Sequence, residues 1–173
     1  MKKIQYLLLF TILFANVQLL QAQEFEIPED YAFKTAEDYP KYEKDIIKCI
    51  NWLEATPVNE QTEKRKAASK FFMEYLTGSP EVSVTVGTEV TNFCTLNPEL
   101  LIIFMGGWTK FVLENPSLAT DEFQGNLAGF KSVIRVYTKD KSLKRDPEVD
   151  KIVAMDKKGK LEKWIREKVM VKG

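Results

Sequence analysis

The chain contains no histidine among its 173 residues. That absence removes the usual general base, Ser-His-Asp and Cys-His nucleophilic pairs, and every metal site built on imidazole. Other absences narrow the chemistry further. There is no phosphate-binding G-x-x-x-x-G-K-[ST] loop, no G-x-G-x-x-G after a strand, no G-x-S-x-G and no S-x-x-K. There is no C-x-x-C and no EF-hand ladder of acids around a glycine. No cofactor, metal or nucleic-acid partner is expected.

Two cysteines are present, Cys49 and Cys94. An even pair in an exported protein permits a disulfide, which would contribute about 4 kcal/mol in the chain-entropy model. The competing reading is that both are small apolar residues packed in helices. No imidazole exists in the chain to activate either thiol.

Residues 1–22 read as an address. Lys2 and Lys3 give a positive start, and Tyr6 to Ala15 is apolar except for Thr11. Leu20-Gln21-Ala22 places a small residue before a cleavage site, so cleavage is expected after Ala22. The apolar run is shorter than the ~20 residues a membrane span needs. The mature chain, 23–173, is expected to be one all-helical domain in the periplasm or outside the cell. Loss of Lys2 and Lys3 leaves 23 basic against 25 acidic residues.

The remaining charge is uneven. Residues 24–138 hold 11 basic and 18 acidic residues, whereas 139–173 hold 12 basic and 7 acidic. A basic tail can bind a polyanion or an anionic lipid surface. The plainer expectation is that it packs beside the acidic body with complementary charge, because acids are interleaved with its lysines.

Apolar residues recur every three or four positions through most of the chain, a helical period. The spacing predicts helices over 40–55, 60–77, 88–95, 98–114, 121–139, 147–158 and 160–171. Ser79-Pro80-Glu81, Asn97-Pro98-Glu99 and Asp146-Pro147-Glu148 each read as a helix start. Thr120 is the expected cap of the fifth helix, and Gly78 and Gly159 are expected stops. The second helix should begin in solvent, since Glu60, Glu63, Lys64, Arg65 and Lys66 crowd its first turns. Residues 82–86 alternate like a strand, with residues 24–27 as the one candidate partner. The fold expected is therefore all-α, a compact bundle of five to seven helices with at most that one extended pair. A short stack of helical hairpins is the second architecture.

The fourth helix has no polar side chain from Leu100 to Trp108 and should be central. Gly106, Gly107, Gly125 and Gly129 each cost about 1 kcal/mol inside a helix, which implies close packing between the fourth and fifth helices. Room for a ligand beside Trp108 is the functional alternative. Among acids, Glu114, Asp121 and Glu122 are the candidates for glycosidase-type carboxylate pairs. Asp121 and Glu122, adjacent acids at a helix N-terminus, point instead to interaction with the helix dipole.

No residue is assigned a catalytic, cofactor or metal role on this reading. The expected function is a non-catalytic interaction or structural module, with an unknown protein partner. The alternative is a carrier of a small apolar ligand in a helical cup lined by the fourth helix. Intact mass of the exported protein should show Gln23 as the first residue. A chain retaining Met1, or one that stays with the membrane after a carbonate wash, contradicts this.

Overall fold

The computed structural model describes residues 25–170. The expected cleavage site, Glu24 and Val171 lie outside the described residues. Seven α-helices and no strand are found among the described residues. They are α1 (Tyr39–Ala55), α2 (Thr62–Gly78), α3 (Thr88–Phe93), α4 (Glu99–Glu114), α5 (Glu122–Lys139), α6 (Pro147–Lys157) and α7 (Leu161–Trp164). A π-helical turn, Ile165–Val169, extends α7. The expected strand pair does not form. Residues 82–86 are irregular, and Val82 is buried alone in the core rather than in a ladder.

Helix α4 is the hub. Leu100, every residue from Ile103 to Thr109, and Val112 are buried. It contacts α1, α2, α3 and α5, so the helices surround one apolar rod rather than stacking as hairpins in a row. Helices α6 and α7 close the far side against α5 and each other.

The α4–α5 contact is built on missing side chains. A Cβ on Gly129 would lie 2.7 Å from the Phe104 ring and 2.9 Å from the Phe104 carbonyl. One on Gly107 would lie 2.8 Å from the Ala128 carbonyl, and closer still to Ser132. One on Gly125 would enter the Trp108 indole. Residue order reverses across these contacts, so the hairpin is antiparallel. Gly106 differs: it faces α1, with Ile50 Cγ2 at 3.2 Å. The buried ridge of α5 includes Gly125, Gly129, Ser132 and Val136, spaced 4, 3 and 4. The larger residues of the helical period divide: Phe123 and Phe130 are buried, whereas Leu127, Ile134 and Tyr137 are rotated to the flank and only half-buried. Small residues lead because they let the backbones approach.

Helix ends follow local chemistry, with some corrections. Asp146 caps α6 by accepting from Glu148 N at 2.9 Å. Helix α5 is capped by Asp121, which accepts from Gln124 N at 3.0 Å, and not by Thr120. Ser79-Pro80-Glu81 starts no helix, because the chain turns away there into the irregular 80–87 segment. Gly159 stops α6 with φ +65°, a backbone that favours glycine. Gly78 is instead the last helical residue of α2, and its missing Cβ makes room for the Tyr39 hydroxyl.

Arg65 departs most from expectation. It is only 9% exposed, although it sits in the charged first turns of α2. Its Nη2 donates to the carbonyls of Leu53, at 3.0 Å, and Thr56. These are orphan acceptors at the end of α1, so the guanidinium closes that helix end.

Gly129→Leu and Gly107→Leu should each overpack the hairpin at a cost of roughly 1–3 kcal/mol. The thermal midpoint should fall by several degrees. Alanine separates the positions more finely. Gly106→Ala gains about 1 kcal/mol of helix propensity against one tight contact and should melt near the parent. Gly129→Ala meets both ring and backbone and should melt below it. A Gly129→Ala protein that melts higher than the parent contradicts the close approach.

Candidate functional site

The lead-in to α1 builds one wall of an open apolar cleft. Extended backbone at 31–33 puts Tyr31 and Phe33 on one side, two residues apart. That side lies on α1 and α2. Phe33 meets Tyr39 in a stacked pair at 5.1 Å and Tyr42 edge-on at 5.2 Å. Tyr31 meets Phe71 edge-on at 4.7 Å, and Phe33 meets Tyr75 edge-on at 5.6 Å. Such tilted and edge-on rings are the favoured geometries of aromatic pairs.

Beside this cluster is a cleft of about 530 Å³, whose apolar lining includes Tyr31, Phe33, Tyr39 and Met73. Its rim carries Lys70 and Glu74, 3.7 Å apart and both well exposed. The Tyr31 hydroxyl donates to Glu74 Oε2 at 2.6 Å. Burial, then that bond, then the Glu74 charge push the Tyr31 hydroxyl up to about 12.

The aromatic core around α4 is packed, although an open cleft of about 280 Å³ lies beside Trp108, lined also by Pro80, Thr120 and Glu122. Phe104 packs edge-on against Phe130 at 5.1 Å and against Trp108 at 6.1 Å. Phe93 and Trp164 meet Phe130 from other sides, at 5.8 and 5.3 Å. The aromatic side chains that would line a cup on α4 occupy one another's space.

The acids singled out from the sequence hold structural posts. Glu114 faces Lys110 at 3.9 Å one turn away. Asp121 is the α5 cap, and Glu122 stands in the first turn beside the positive helix end. No hydrogen bond or ion pair joins any of the three to another among the described residues.

The cysteines are free. Cys49 Sγ donates to the Ala68 carbonyl at 3.3 Å, linking α1 to α2. Cys94 Sγ donates to the Val90 carbonyl at 3.3 Å, one turn back in its own helix. Burial pushes both thiols up to about 12, so neither is a thiolate at neutral pH. Among the described residues no group of three or more Cys, Asp or Glu is placed to hold a metal ion, and no helix is long and apolar enough to cross a membrane.

The aromatic cleft was not among the features singled out from the sequence. Its signals were present in Tyr31-x-Phe33 and in the one-turn spacing of Phe71 and Tyr75. What was missing was the knowledge that the lead-in folds back across α1 and α2. Comparison with protein-family models, with curated protein sequences and with solved structures returns no match for this chain. Fold and site define a small all-helical protein with a filled core and one solvent-open aromatic cleft beside its N-terminal segment.

The shifted hydroxyls and thiols set a pH dependence. Tyr31, Tyr75, Cys49 and Cys94 keep their protons to about 12 in the folded state, against ordinary values of 10.0 for Tyr and 9.0 for Cys. Between those limits the unfolded chain binds fewer protons than the folded one, so stability falls as pH rises. The thermal midpoint should hold near pH 8 and then drop from about pH 9 upward, with part of the drop removed in Tyr31→Phe. A flat midpoint through about pH 11 would contradict the burial of these groups.

Proposed function

We propose that this chain is exported, is cleaved after Ala22, and acts as a non-catalytic interaction module. The observation that supports this most is the employment of its reactive side chains. Asp121 caps a helix, Glu114 and Glu122 sit at helix ends, and both thiols are held protonated against carbonyls. Asp121, Glu114 and both thiols are thus engaged within the fold.

The aromatic cleft supports the interaction half of the reading. Its floor is apolar and its rim charges, Lys70 and Glu74, compensate each other. An uncharged apolar side chain of a protein partner suits that surface, since it buries apolar area without stranding a charge. Its volume and openness to solvent suit one such side chain and its neighbours.

A photo-crosslinking amino acid at Met73 tests this in the native host. The expected result is a crosslink to one discrete peptide of a partner, abolished by Tyr31→Glu and absent when the crosslinker replaces Lys44 on α1. A small apolar molecule crosslinked or co-purifying in equal amount would support the carrier instead. Equal labelling from both positions would contradict a specific site.

A further inference from the structure

Several ion pairs of the basic C-terminal part form within it rather than with the acidic body. Arg145 pairs with Asp150 at 2.7 Å, Lys151 with Glu148 at 2.6 Å, and Lys163 with Glu167 at 3.7 Å, all within the tail. The ion pair that crosses between the two regions is Lys131 with Asp156, at 2.5 Å. It joins a body cation to a tail acid, the reverse of what neutralisation requires.

Part of the surplus gathers at one place. A cleft of about 530 Å³ lies between the end of α5, the 140–146 loop and α6, with Lys141, Arg145 and Lys157 on its wall. Two acids share the wall, and both are already answered. Asp140 accepts from Val58 N at 2.7 Å and from Ser142 N at 2.9 Å. The buried Arg65 guanidinium adds its field, and together these hold the carboxyl below its ordinary range despite partial burial, which works the other way. Asp150 is answered by Arg145. That leaves Lys141 and Lys157 without an acid. Lys141 donates to a single neutral carbonyl, that of Thr138, at 3.3 Å. Arg145 pairs through Nε, and its terminal nitrogens make no hydrogen bond among the described residues.

The loop carrying Lys141 and Arg145 is held in place from inside, and Lys157 ends α6. Asn97, 2% exposed, accepts from Lys144 N at 2.8 Å and donates to the Lys144 carbonyl at 3.0 Å. The Tyr137 hydroxyl accepts from Asp146 N at 2.8 Å. Asp140 turns the loop entry through Ser142. Fixing donors before a ligand arrives removes much of the entropic cost of binding.

We infer that this cleft binds a phosphomonoester group, with Lys141 and Lys157 supplying charge and Arg145 a pair of donors. A phosphomonoester carries close to two negative charges at neutral pH, matching the two unanswered lysines. A guanidinium with free terminal nitrogens suits a tetrahedral oxyanion. The group could arrive on a soluble molecule or as a lipid headgroup. This site is separate from the aromatic cleft and does not depend on the partner proposed for it.

Two probes distinguish the sources. One is inorganic phosphate, titrated by calorimetry. The other is sedimentation with vesicles of equimolar phosphatidic acid and phosphatidylcholine, compared with phosphatidylcholine alone. Binding of phosphate supports a soluble ligand, and binding to the acidic vesicles alone supports a headgroup. In either arm, Lys141→Gln with Lys157→Gln should weaken binding roughly tenfold or more, the scale of lost charged hydrogen bonds. Arg145→Gln should weaken it too, and being 85% exposed it should leave the melting curve unchanged. Lys66→Gln, an exposed lysine on α2, makes the same change of net charge as Arg145→Gln and should leave binding near the parent value. No binding in either arm overturns the proposal. So does a Lys66→Gln loss as large as that of the cleft variants, which would mean attraction by net charge alone.

Discussion

The close approach of α4 and α5 is the constraint on which the rest depends. Three glycines lack the side chains that would hold the helices apart, and Phe104, Trp108 and Ser132 fill the space. That contact draws the most apolar helix into the centre. It leaves α4 faces free for α1 and α2 on one side, while α5 offers Phe130 to α3 and Trp164. Interiors packed to this density tolerate little added volume. Glycine in a helix costs helix propensity, and here that cost is offset by dispersion contacts along the whole hairpin.

Around this hub the remaining elements are fastened by a few long-range polar ties. Arg65 closes the end of α1 from α2, and Asp140 ties the α1–α2 turn to the end of α5. Lys110 reaches Asn51 at 2.7 Å, and Arg135 reaches Glu54 at 2.8 Å, joining α4 and α5 to α1. Asn97 reaches the loop before α6. Buried polar groups of this kind must find partners, so each also restricts how its neighbours can be arranged.

The two clefts arise from different physics. The aromatic one exists because an extended segment with alternating rings lies on two helices whose own rings are already packed, leaving its edge open. The basic one forms where a loop is pinned by the buried Asn97 and the half-buried Tyr137, with Lys141 and Arg145 on the cleft wall. In the first, apolar area is available with little net charge. In the second, charge is available with little apolar area. A protein with both surfaces can meet two chemically unlike ligands without either site competing for the other's residues.

The periodicity of apolar residues by itself determined the helices, their order and the central place of α4, because those features depend on neighbours within a turn or two. The cap at Asp146 and the stop at Gly159 were legible for the same reason, and the glycine spacing carried the α4–α5 hairpin. Tertiary structure decided what depends on distant partners. Arg65 looks like a solvent residue until the carbonyls of Leu53 and Thr56 are brought to it. Gly78 looks like a stop until Tyr39 is seen to fill its place. The buried face of α5 combines its small residues with Phe123 and Phe130 and leaves Leu127, Ile134 and Tyr137 on the flank, because what a helix buries is set by how near its neighbour can come. Neither cleft was legible, since each joins segments far apart in the chain, and only folding brings Tyr31 to Phe71, or Asn97 to Lys144.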